Sequence, residues 1–490
     1  MKFTLLLPRY RNVVATGVFG LTLSVLHSPL SAAEDKQFPN IVFYFADDLG
    51  WGDNQVNNPQ SHIPTPNLNK LAAEGINFTD AHSSGSTCAP SRYGLLTGRN
   101  PIAYPNYQYK LTSNAWDCLT LPEMLRKKGY TTHMIGKWHF SVHFKSAKKE
   151  GYEFFPRKAN PKAVVGKFDL ASESKYGPLD RGFDTFFGTP LQPGGGWRCN
   201  MEGRKLIGKP HINEKGQPEV EDFDIVKWLD LLTTKSVEKI KQCAGQKKPF
   251  FLYIPINSPH KPIVPDEPYR GKTVIGDYGD YCYQVDASLG KVMAALDEAG
   301  VADNTILIFS SDNGSFAPAE PKLQSVTKGD NKKPHAANGP WRGAKKDLWE
   351  GGHRVPYVVR WPKRVKPGTS SNHVVSLMDH MATFAAIADY KLASIDATDS
   401  YNILPLWLGK EASLELRDRV IYHYGPKSYA VRKGKWKAIF QDGKNLLYDL
   451  EKDPSESKDL SGERPDVIKE FKSYLDDYKK VKKSAPHTAK

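Results

Sequence analysis

Short apolar runs alternate with segments of helical periodicity along most of the chain. The runs that predict buried strands are 40–46, 131–135, 250–256, 305–310 and 357–361. The segments that predict helices are 67–74, 121–128, 281–299 and 375–388. Strands that alternate with helices are typical of an α/β fold, in which a large, mostly parallel sheet is flanked by helices on both faces.

The pattern changes near residue 417. Four short runs alternate between apolar and polar residues, and a helical stretch at 465–479 follows them; the runs are 420–424, 429–432, 436–440 and 446–449. A period of two predicts half-buried antiparallel strands. We therefore predict a small C-terminal antiparallel sheet with one packed helix.

The first 33 residues differ from the rest. Lys2, Arg9 and Arg11 precede an apolar stretch at 13–26, and the small residues Ser31-Ala32-Ala33 follow. This order is typical of a cleaved secretory signal. A membrane anchor is the alternative, but the stretch is shorter than the roughly 20 residues of a spanning helix. We predict an exported protein, periplasmic or secreted, without stable membrane insertion. Its segments are a signal peptide at 1–33, a main domain at 34–415 and a C-terminal subdomain at 416–490.

Composition narrows the possible partners. Hydrophobic residues make up 39% of the chain and aromatic residues 11%, which indicates a globular protein rather than a disordered one. The formal net charge of +14 favours anionic partners. We expect no nucleic-acid partner, because the chain has no basic recognition helix and no aromatic platform.

The cysteines are Cys88, Cys118, Cys199, Cys243 and Cys282. No pair has the CxxC spacing of a zinc or redox site, so disulfides and free thiols both stay open.

Polar side chains follow two of the predicted strands. Asp47 and Asp48 come directly after the first strand, and Asp312 and Asn313 come after the fourth. Ligands collect beyond the carboxyl ends of strands in an open α/β sheet. Adjacent carboxylates repel each other unless a cation neutralises them, and oxygen ligands favour calcium ahead of magnesium. Each motif taken alone is also an ordinary turn sequence, and that alternative stays open at this point.

The segment at 88–99, CAPSRYGLLTGR, resembles the signature of the formylglycine-dependent sulfatases. More closely, the chain is similar to the branch of arylsulfatases and N-acetylgalactosamine-6-sulfatases. In this family the cysteine of Cys-x-Pro-x-Arg is oxidised after synthesis to 3-oxoalanine, also called formylglycine. The resemblance implies an alkaline-phosphatase-like sulfatase fold and a formylglycine-generating maturation enzyme as a partner. It also implies that Cys88 is the precursor of the nucleophile.

Further blocks of sequence extend the resemblance over most of the chain. They are GKWH at 136–139, SPHKP at 258–262, RGAKKDLWEGG at 342–352 and LYDL at 447–450 with the Asp-Pro pair at 453–454. The catalytic residues that the resemblance implies are Cys88, Arg92, Lys137, His139, His260 and Lys345. The ligands that it implies for one calcium ion are Asp47, Asp48, Asp312, Asn313 and residue 88.

These residue types suit the hydrolysis of a sulfate ester. The ester is an anion, so positive charge from the metal, Lys137, Lys345 and Arg92 is needed to stabilise the transition state. By the resemblance, a hydroxyl of the hydrated aldehyde attacks sulfur, His139 is the base that re-forms the aldehyde, and His260 protonates the leaving group. The other two lysines of these blocks, at 261 and 346, are better explained as surface residues.

Export, positive charge and long basic loops at 140–181 and 190–219 favour a sulfated sugar, oligosaccharide or polysaccharide as substrate. Trp197 and Arg198 either contact such a sugar or anchor a loop. One alternative is a formylglycine-type phosphonate or phosphodiester hydrolase. Another is a noncatalytic protein that binds anionic polysaccharides and whose Cys88 is never oxidised. A zinc phosphatase fits less well, because no histidine adjoins the aspartates in sequence.

Overall fold

A computed structural model describes residues 38–103, 118–156, 160–326, 333–410, 417–425 and 427–486. The predicted signal peptide lies outside this part of the chain. Within it, no helix combines the length and the apolar character that crossing a membrane requires.

The strands and helices alternate through most of the described residues before residue 419. The strands are β1 (Asn40–Asp47), β2 (Ile76–Phe78), β3 (Ala81–His82), β4 (Thr131–Lys137), β5 (His143–Ser146), β6 (Tyr152–Phe154), β7 (Phe168–Asp169), β8 (Thr185–Thr189), β9 (Met201–Glu202), β10 (Lys205–Leu206), β11 (His211–Ile212), β12 (Pro218–Glu219), β13 (Phe250–Pro259), β14 (Thr305–Ser311), β15 (Tyr357–Arg360), β16 (Thr369–Ser371), β17 (Val375–Ser376), β18 (Arg419–Tyr424), β19 (Ser428–Lys433), β20 (Trp436–Gln441) and β21 (Lys444–Asp449). The α-helices are α1 (Pro66–Ala73), α2 (Cys88–Thr97), α3 (Leu121–Lys127), α4 (Pro161–Val164), α5 (Trp228–Ala244), α6 (Asp277–Glu298), α7 (Glu350–His353), α8 (His380–Ile387), α9 (Leu404–Trp407) and α10 (Pro465–Val481).

Ten strands form the main sheet in the order β10-β9-β8-β4-β13-β1-β14-β15-β2-β16. The five central strands from β8 to β14 are parallel. Antiparallel pairs lie towards the edges, where β9 joins β8 and β15 joins β14. The predicted α/β class is therefore confirmed, with a parallel centre and a mixed periphery.

The central strand β1 shows why this sheet forms. All of its residues are buried, as expected for a strand covered by helices on both faces. Ile41, Phe43 and Phe45 belong to one hydrophobic core, whereas Val42 and Tyr44 belong to the core on the opposite face. Successive side chains of a strand point to opposite faces, so one apolar run contributes to both cores.

One predicted helix is wrong over its first turn. The segment at 375–388 begins as strand β17, and α8 starts only at His380. The backbone N–H of Ser376 donates to Asp379 Oδ2 at 2.8 Å, and the Ser376 hydroxyl oxygen accepts from the N–H of Met378 at 3.3 Å. These local bonds cap a short turn before the helix, and the apolar pattern alone does not reveal them.

The C-terminal prediction is confirmed. Strands β18 to β21 form a four-stranded antiparallel sheet in sequence order. One face of this sheet packs against α10 through Val467, Phe471 and Leu475. Residues of the opposite face cluster with Leu348, which lies in the segment that resembles the lysine block of the sulfatases. The small sheet is therefore packed directly behind that segment.

Candidate active site

The carboxyl ends of four central strands meet at one edge of the main sheet. Strand β1 ends at Asp47, β4 ends at Lys137, and β13 ends one residue before His260. Asp312 follows β14 directly, and the N–H of Asp48 donates to its Oδ1 at 3.2 Å. Because these strands are parallel neighbours, their ends bring together residues that are far apart in sequence.

Glycine is required just before Lys137. Gly136 has a φ of +137°, and a Cβ added to it would lie 2.1 Å from the carbonyl oxygen of Pro255. A larger residue would therefore push β4 away from β13. This contact explains why a glycine precedes Lys137 at the sheet edge.

Helix α2 brings the cysteine motif to the same edge. It starts at Cys88, directly after Thr87 in extended conformation, and it ends at Gly98, which has a φ of +63°. All of its residues are buried. Arg92 lies four residues after Cys88, so the two side chains share one face of the helix.

Arg92 and Lys137 both donate to carboxylates at this edge of the sheet. The Arg92 guanidinium donates to Asp312 Oδ2 from Nη2 at 2.8 Å and from Nε at 3.1 Å. It also reaches Asp47 Oδ2 at 3.3 Å, and Lys137 Nζ donates to the same oxygen. Burial raises the pKa of Asp47, but Lys137, His260 and Arg92 together hold it well below the usual range.

The negative charge of Asp312 is less well compensated by neighbouring cations than that of Asp47. Burial, together with the negative charge of Asp47, raises the pKa of Asp312 to about 6 although Arg92 opposes the shift. The neighbouring Asn313 donates from Nδ2 to Asp48 Oδ1 at 2.7 Å. Its other amide atom, Oδ1, is buried and has no hydrogen-bond partner among the described residues. The site therefore holds more oxygen ligands than its own donors satisfy.

Cys88 lies within this group of carboxylates. Its Sγ is 3.4 Å from Asp47 Oδ1 and 3.9 Å from Asp48 Oδ1. Burial and the charges of Asp312 and Asp47 raise its pKa. The thiol is therefore neutral, whereas cysteines that act as nucleophiles have a lowered pKa.

Lys345 contacts both Asp48 and Cys88. Its Nζ lies 2.7 Å from Asp48 Oδ1 and 3.3 Å from Cys88 Sγ. Burial lowers the pKa of Lys345, but Asp48 and Cys88 oppose this effect and the pKa is raised overall. Lys345 therefore keeps its positive charge directly beside residue 88.

Both predicted histidines reach the site. His139 is 4% exposed and has a φ of +69°. His260 Nε2 lies 3.7 Å from Asp48 Oδ2. Its Nδ1 lies 2.7 Å from the carbonyl oxygen of Lys261 and 2.9 Å from Nε2 of Gln192. Burial lowers the pKa of His260, and Asp48 opposes this shift. A histidine therefore does lie beside the carboxylates, which sequence adjacency alone did not indicate.

These residues open onto a cavity of about 540 Å³, here called the catalytic cavity. The predicted site residues that line it are Asp48, Cys88, His139, His260 and Lys345. Arg92 and Lys137 are not among the lining residues, and their donors contact carboxylates instead. Among the three predicted site cations, the structure thus separates Lys345, which faces the cavity together with Lys261 and Lys346, from Arg92 and Lys137, which hold the carboxylates.

The cavity also contains residues that the sequence did not suggest. Tyr424, from strand β18 of the small sheet, lines it together with Phe316 and Glu320. Glu320 pairs with Lys261, which agrees with the expected surface ion pair at Lys261 but places that pair at the cavity rim. No sequence motif marks Tyr424, because its position depends on how the small sheet packs.

The structure decides between the two interpretations of Trp197. Its side chain is fully buried, and its Nε1 donates to the carbonyl oxygen of Cys199 at 2.9 Å. Trp197 is therefore a loop anchor, and the interpretation as a sugar-stacking residue is wrong.

None of the five cysteines, all of which are among the described residues, forms a disulfide.

Comparison with known proteins gives consistent matches over most of the chain. The profile of the family described as "Sulfatase" matches residues 39–390. The profile described as "N-sulphoglucosamine sulphohydrolase, C-terminal" matches residues 342–481. An N-acetylgalactosamine-6-O-sulfatase of Bacteroides thetaiotaomicron is 30% identical, over 91% of this chain and 94% of the relative. The human N-acetylgalactosamine-6-sulfatase is 31% identical, over 84% of this chain and 73% of the relative.

A solved structure has the same fold. It comes from work on the metabolism of multiple glycosaminoglycans by Bacteroides thetaiotaomicron, and it superimposes with a TM-score of 0.76 at 27% identity. The superposition covers 91% of this chain and all of the other. The likeness therefore extends over most of the chain.

Proposed function

The chain belongs to the sulfatase family, and we propose that it hydrolyses sulfate esters on a sulfated sugar, oligosaccharide or polysaccharide. One observation carries the proposal. Cys88, Asp47, Asp48 and Lys345 meet within hydrogen-bonding range, and all of them except Asp47 line the catalytic cavity. A nucleophile precursor, oxygen ligands and a cation therefore face the same space.

Residue 88 needs chemical conversion before it can act. The neutral, buried thiol of Cys88 is a poor nucleophile, and the carboxylates around it would also oppose a thiolate. A formylglycine formed at position 88 by a maturation enzyme would supply a hydroxyl nucleophile when hydrated. A hydroxyl does not need to become a stable anion next to Asp47 and Asp48, so this environment suits it better than it suits a thiolate.

The oxygen ligands fit a hard divalent cation, and we assign calcium. Asp47, Asp48, Asp312 and Asn313 would hold it together with residue 88. The fit rests on the unpartnered Oδ1 of Asn313 and on the raised pKa of Asp312, since a bound cation would satisfy the first and reverse the second. Calcium accepts such a crowded carboxylate and amide set. When bound, the cation would withdraw charge from the sulfate oxygens.

The three permanent cations have two different tasks. Arg92 and Lys137 orient Asp47 and Asp312, because their donors contact these carboxylates. Lys345 faces the catalytic cavity and binds the anionic ester. Electrostatic stabilisation of this kind usually lowers the barrier of such a reaction more than any other single effect does.

The two histidines hold the protons of the reaction. In the tautomer in which His260 Nδ1 accepts from the Gln192 amide, the ring proton is on Nε2, which faces Asp48 and the cavity. From Nε2 it donates a proton to the leaving oxygen of the sugar. His139 lines the same cavity and accepts a proton from residue 88.

We further propose that the chain is exported after cleavage of the signal peptide at 1–33. Sulfated polysaccharides outside the cell would then be accessible to it. The similarity to N-acetylgalactosamine-6-sulfatases agrees with a carbohydrate sulfate. A sulfated sugar is favoured over a small aryl sulfate by the basic character of the chain.

The test measures the products directly. The protein is produced with a formylglycine-generating enzyme, the peptide that contains residue 88 is weighed, and inorganic sulfate release is followed on a panel of sulfated oligosaccharides. Aryl phosphates and phosphonates form the comparison panel. We expect aldehyde at residue 88 and turnover of a sulfated sugar. Faster turnover of the phosphorus esters would instead identify the phosphonate or phosphodiester hydrolase, and an intact thiol with no turnover after maturation would identify a binding protein.

A further inference from the structure

A second cavity, of about 570 Å³, adjoins the catalytic cavity. The loop at 191–196 forms one wall of this side cavity, and Lys215, Gln217 and Ile225 form another. His260 and Lys261 line both cavities, so the two spaces meet at the proposed proton donor. A ligand longer than one sugar can therefore extend from the catalytic cavity into the side cavity.

The side cavity is basic. Arg198, Lys215 and Lys261 line it, and no carboxylate is among its lining residues in the described part of the chain. Arg198 pairs with Glu219 at 3.1 Å, and Lys261 pairs with Glu320. Among the described residues no carboxylate lies within ion-pair distance of Lys215. Lys215 is therefore the cation of this cavity whose charge is available to a ligand.

The turn that carries Lys215 is fixed in place. It joins β11 to β12, and Asn213 Oδ1 accepts from the N–H groups of Lys215 and Gln217, each at 3.0 Å. Asn213 Nδ2 donates to the carbonyl oxygen of Gly196 at 2.7 Å. A local hydrogen-bond network of this kind positions a side chain before the ligand arrives.

Gly196 lets the lysine stem lie across the cavity wall. It has a φ of +105°, and a Cβ there would lie 3.1 Å from Cδ of Lys215. A larger residue would therefore lift the stem. Gly194, Gly195 and Gly196 line the side cavity without side chains, and Ile225 and Pro262 add apolar surface that suits the C–H face of a sugar.

We propose that the side cavity is a subsite for the sugar next to the sulfated one, and that Lys215 binds a carboxylate or sulfate on that neighbouring sugar. This inference rests on the proposed function, because it takes the sulfated sugar to lie over residue 88. The ligand class is therefore an anionic oligosaccharide rather than an isolated sulfated sugar. Gln192 lines the side cavity and contacts His260, so this subsite adjoins the leaving group.

The experiment compares substrates of increasing length. The substrates are a sulfated monosaccharide that the matured enzyme hydrolyses, and three disaccharides in which the same sugar is joined to a neutral sugar, a uronic acid or a second sulfated sugar. Their kcat/KM values are measured for the unchanged protein, for Lys215→Gln and for Lys209→Gln. Lys209 is an exposed lysine of the same loop that does not line the side cavity, so it controls for general charge.

We expect Lys215→Gln to lower kcat/KM for the anionic disaccharides about fivefold relative to the monosaccharide, the effect of one partly exposed ion pair. Lys209→Gln should not change that ratio. The disaccharide that responds shows whether the bound group is a carboxylate or a sulfate. An unchanged ratio in Lys215→Gln, or an equal fall in Lys209→Gln, would overturn the proposal.

A binding measurement separates this inference from the proposed function. The uronic acid and sulfated disaccharides are titrated calorimetrically into Cys88→Ala and into Cys88→Ala/Lys215→Gln, neither of which needs maturation. We expect a Kd about fivefold higher in the double variant. If the matured enzyme released no sulfate and this difference persisted, the proposed function would fail and the subsite would stand. Equal Kd values would remove the subsite whatever the activity.

Discussion

Two buried charge clusters in this protein have the same composition and different surroundings. The active-site cluster contains three carboxylates, three cations and two histidines: Asp47, Asp48, Asp312, Arg92, Lys137, Lys345, His139 and His260. The second, here called the closed cluster, also contains three carboxylates, three cations and two histidines: Asp80, Glu350, Glu456, Arg354, Arg432, Lys437, His82 and His353.

In the closed cluster the charges satisfy one another. Arg432 donates to both oxygens of Asp80, each at 2.7 Å. Lys437 Nζ lies 3.0 Å from Glu350 and 2.9 Å from Glu456. Three residues of this cluster, His82, Glu350 and His353, are grouped closely enough to hold a metal ion. We assign no metal there, because Lys437 and Arg354 contact both oxygens of Glu350 and none of the three residues lines the catalytic cavity.

The active-site cluster differs in having access to a ligand. Asp48, Cys88, Lys345 and His260 line the catalytic cavity, and Asn313 beside them has an unpartnered oxygen. Residue types therefore do not separate a structural cluster from a catalytic one. Access to a cavity does.

The closed cluster nevertheless supports the active site. Glu350 follows Lys345 by five residues, and its N–H donates to Glu456 Oε2 at 2.7 Å. Arg342, three residues before Lys345, donates to the carbonyl oxygen of Glu456 at 2.6 Å. Glu456 therefore holds the segment of Lys345 from both sides, which links stability to the position of one active-site cation.

The largest expected effect is that of Cys88→Ala. Removal of the nucleophile precursor should lower kcat by at least about 10,000-fold, as loss of a nucleophile does in other hydrolases. The measurement is sulfate release from a sulfated oligosaccharide by a matured preparation. Cys243→Ala, in a buried thiol of α5, is the matched control and should keep its activity. Activity retained in Cys88→Ala would end the formylglycine mechanism.

Next comes Lys437→Met, which acts on the closed cluster. It leaves Glu350 and Glu456 buried without their common partner, so the free energy of unfolding should fall by about 3–5 kcal/mol. Denaturant unfolding measures this. The control is Lys435→Met, whose partly exposed pair with Asp449 should contribute about 0–1 kcal/mol. Equal stability of the two variants would contradict the view that the closed cluster is structural.

Lys345→Met should lower activity strongly and stability little, the reverse of what we expect for Lys437→Met. Loss of the cation that faces the ester should lower kcat/KM by about 100- to 1,000-fold, the usual cost of one electrostatic contact in the transition state. Stability should change less than in Lys437→Met. Lys346 also lines the catalytic cavity but forms no ion pair among the described residues, so Lys346→Met should lower kcat/KM less than Lys345→Met does. The control is Lys322→Met, an exposed lysine outside the lining of the cavity, which should stay close to the unchanged protein. A larger effect at position 346 would show that the wrong lysine has been assigned.

The smallest of these effects concerns calcium. At a calcium concentration of about 100 times Kd, the free energy of unfolding should exceed that in chelator by about 2.7 kcal/mol. Asp48→Asn should lose most of this difference, whereas Lys437→Met should keep it, because we propose the ion site in the active-site cluster. If calcium no longer stabilised Lys437→Met but still stabilised Asp48→Asn, the metal would instead lie in the closed cluster.

Much of the fold could be predicted because strands and helices each produce a local pattern of apolar and polar residues in the sequence. The apolar run at 40–46 predicts β1, since a fully buried strand needs no polar face. The first turn of the segment at 375–388 could not be predicted. Its conformation depends on side-chain bonds of Ser376 and Asp379, and an apolar pattern does not record such bonds.

The site divides in the same way. Asp47 and Asp312 could be found because the end of a strand is visible in the sequence, and Cys88 because its motif is local. Tyr424 could not, since its place in the cavity depends on how the small sheet docks. The role of Trp197 also stayed open until its burial was known.

The sequence by itself determined the class of fold, the order of the elements and the residues that carry the sulfatase motifs, because each of these depends on neighbours within a few positions. Only the tertiary structure decided which charges face a ligand. Lys345 and Lys437 both pair with buried carboxylates, but of the two only Lys345 lines the catalytic cavity. The distinction depends on whether the packed chain leaves a cavity beside the charge, and packing joins residues hundreds of positions apart.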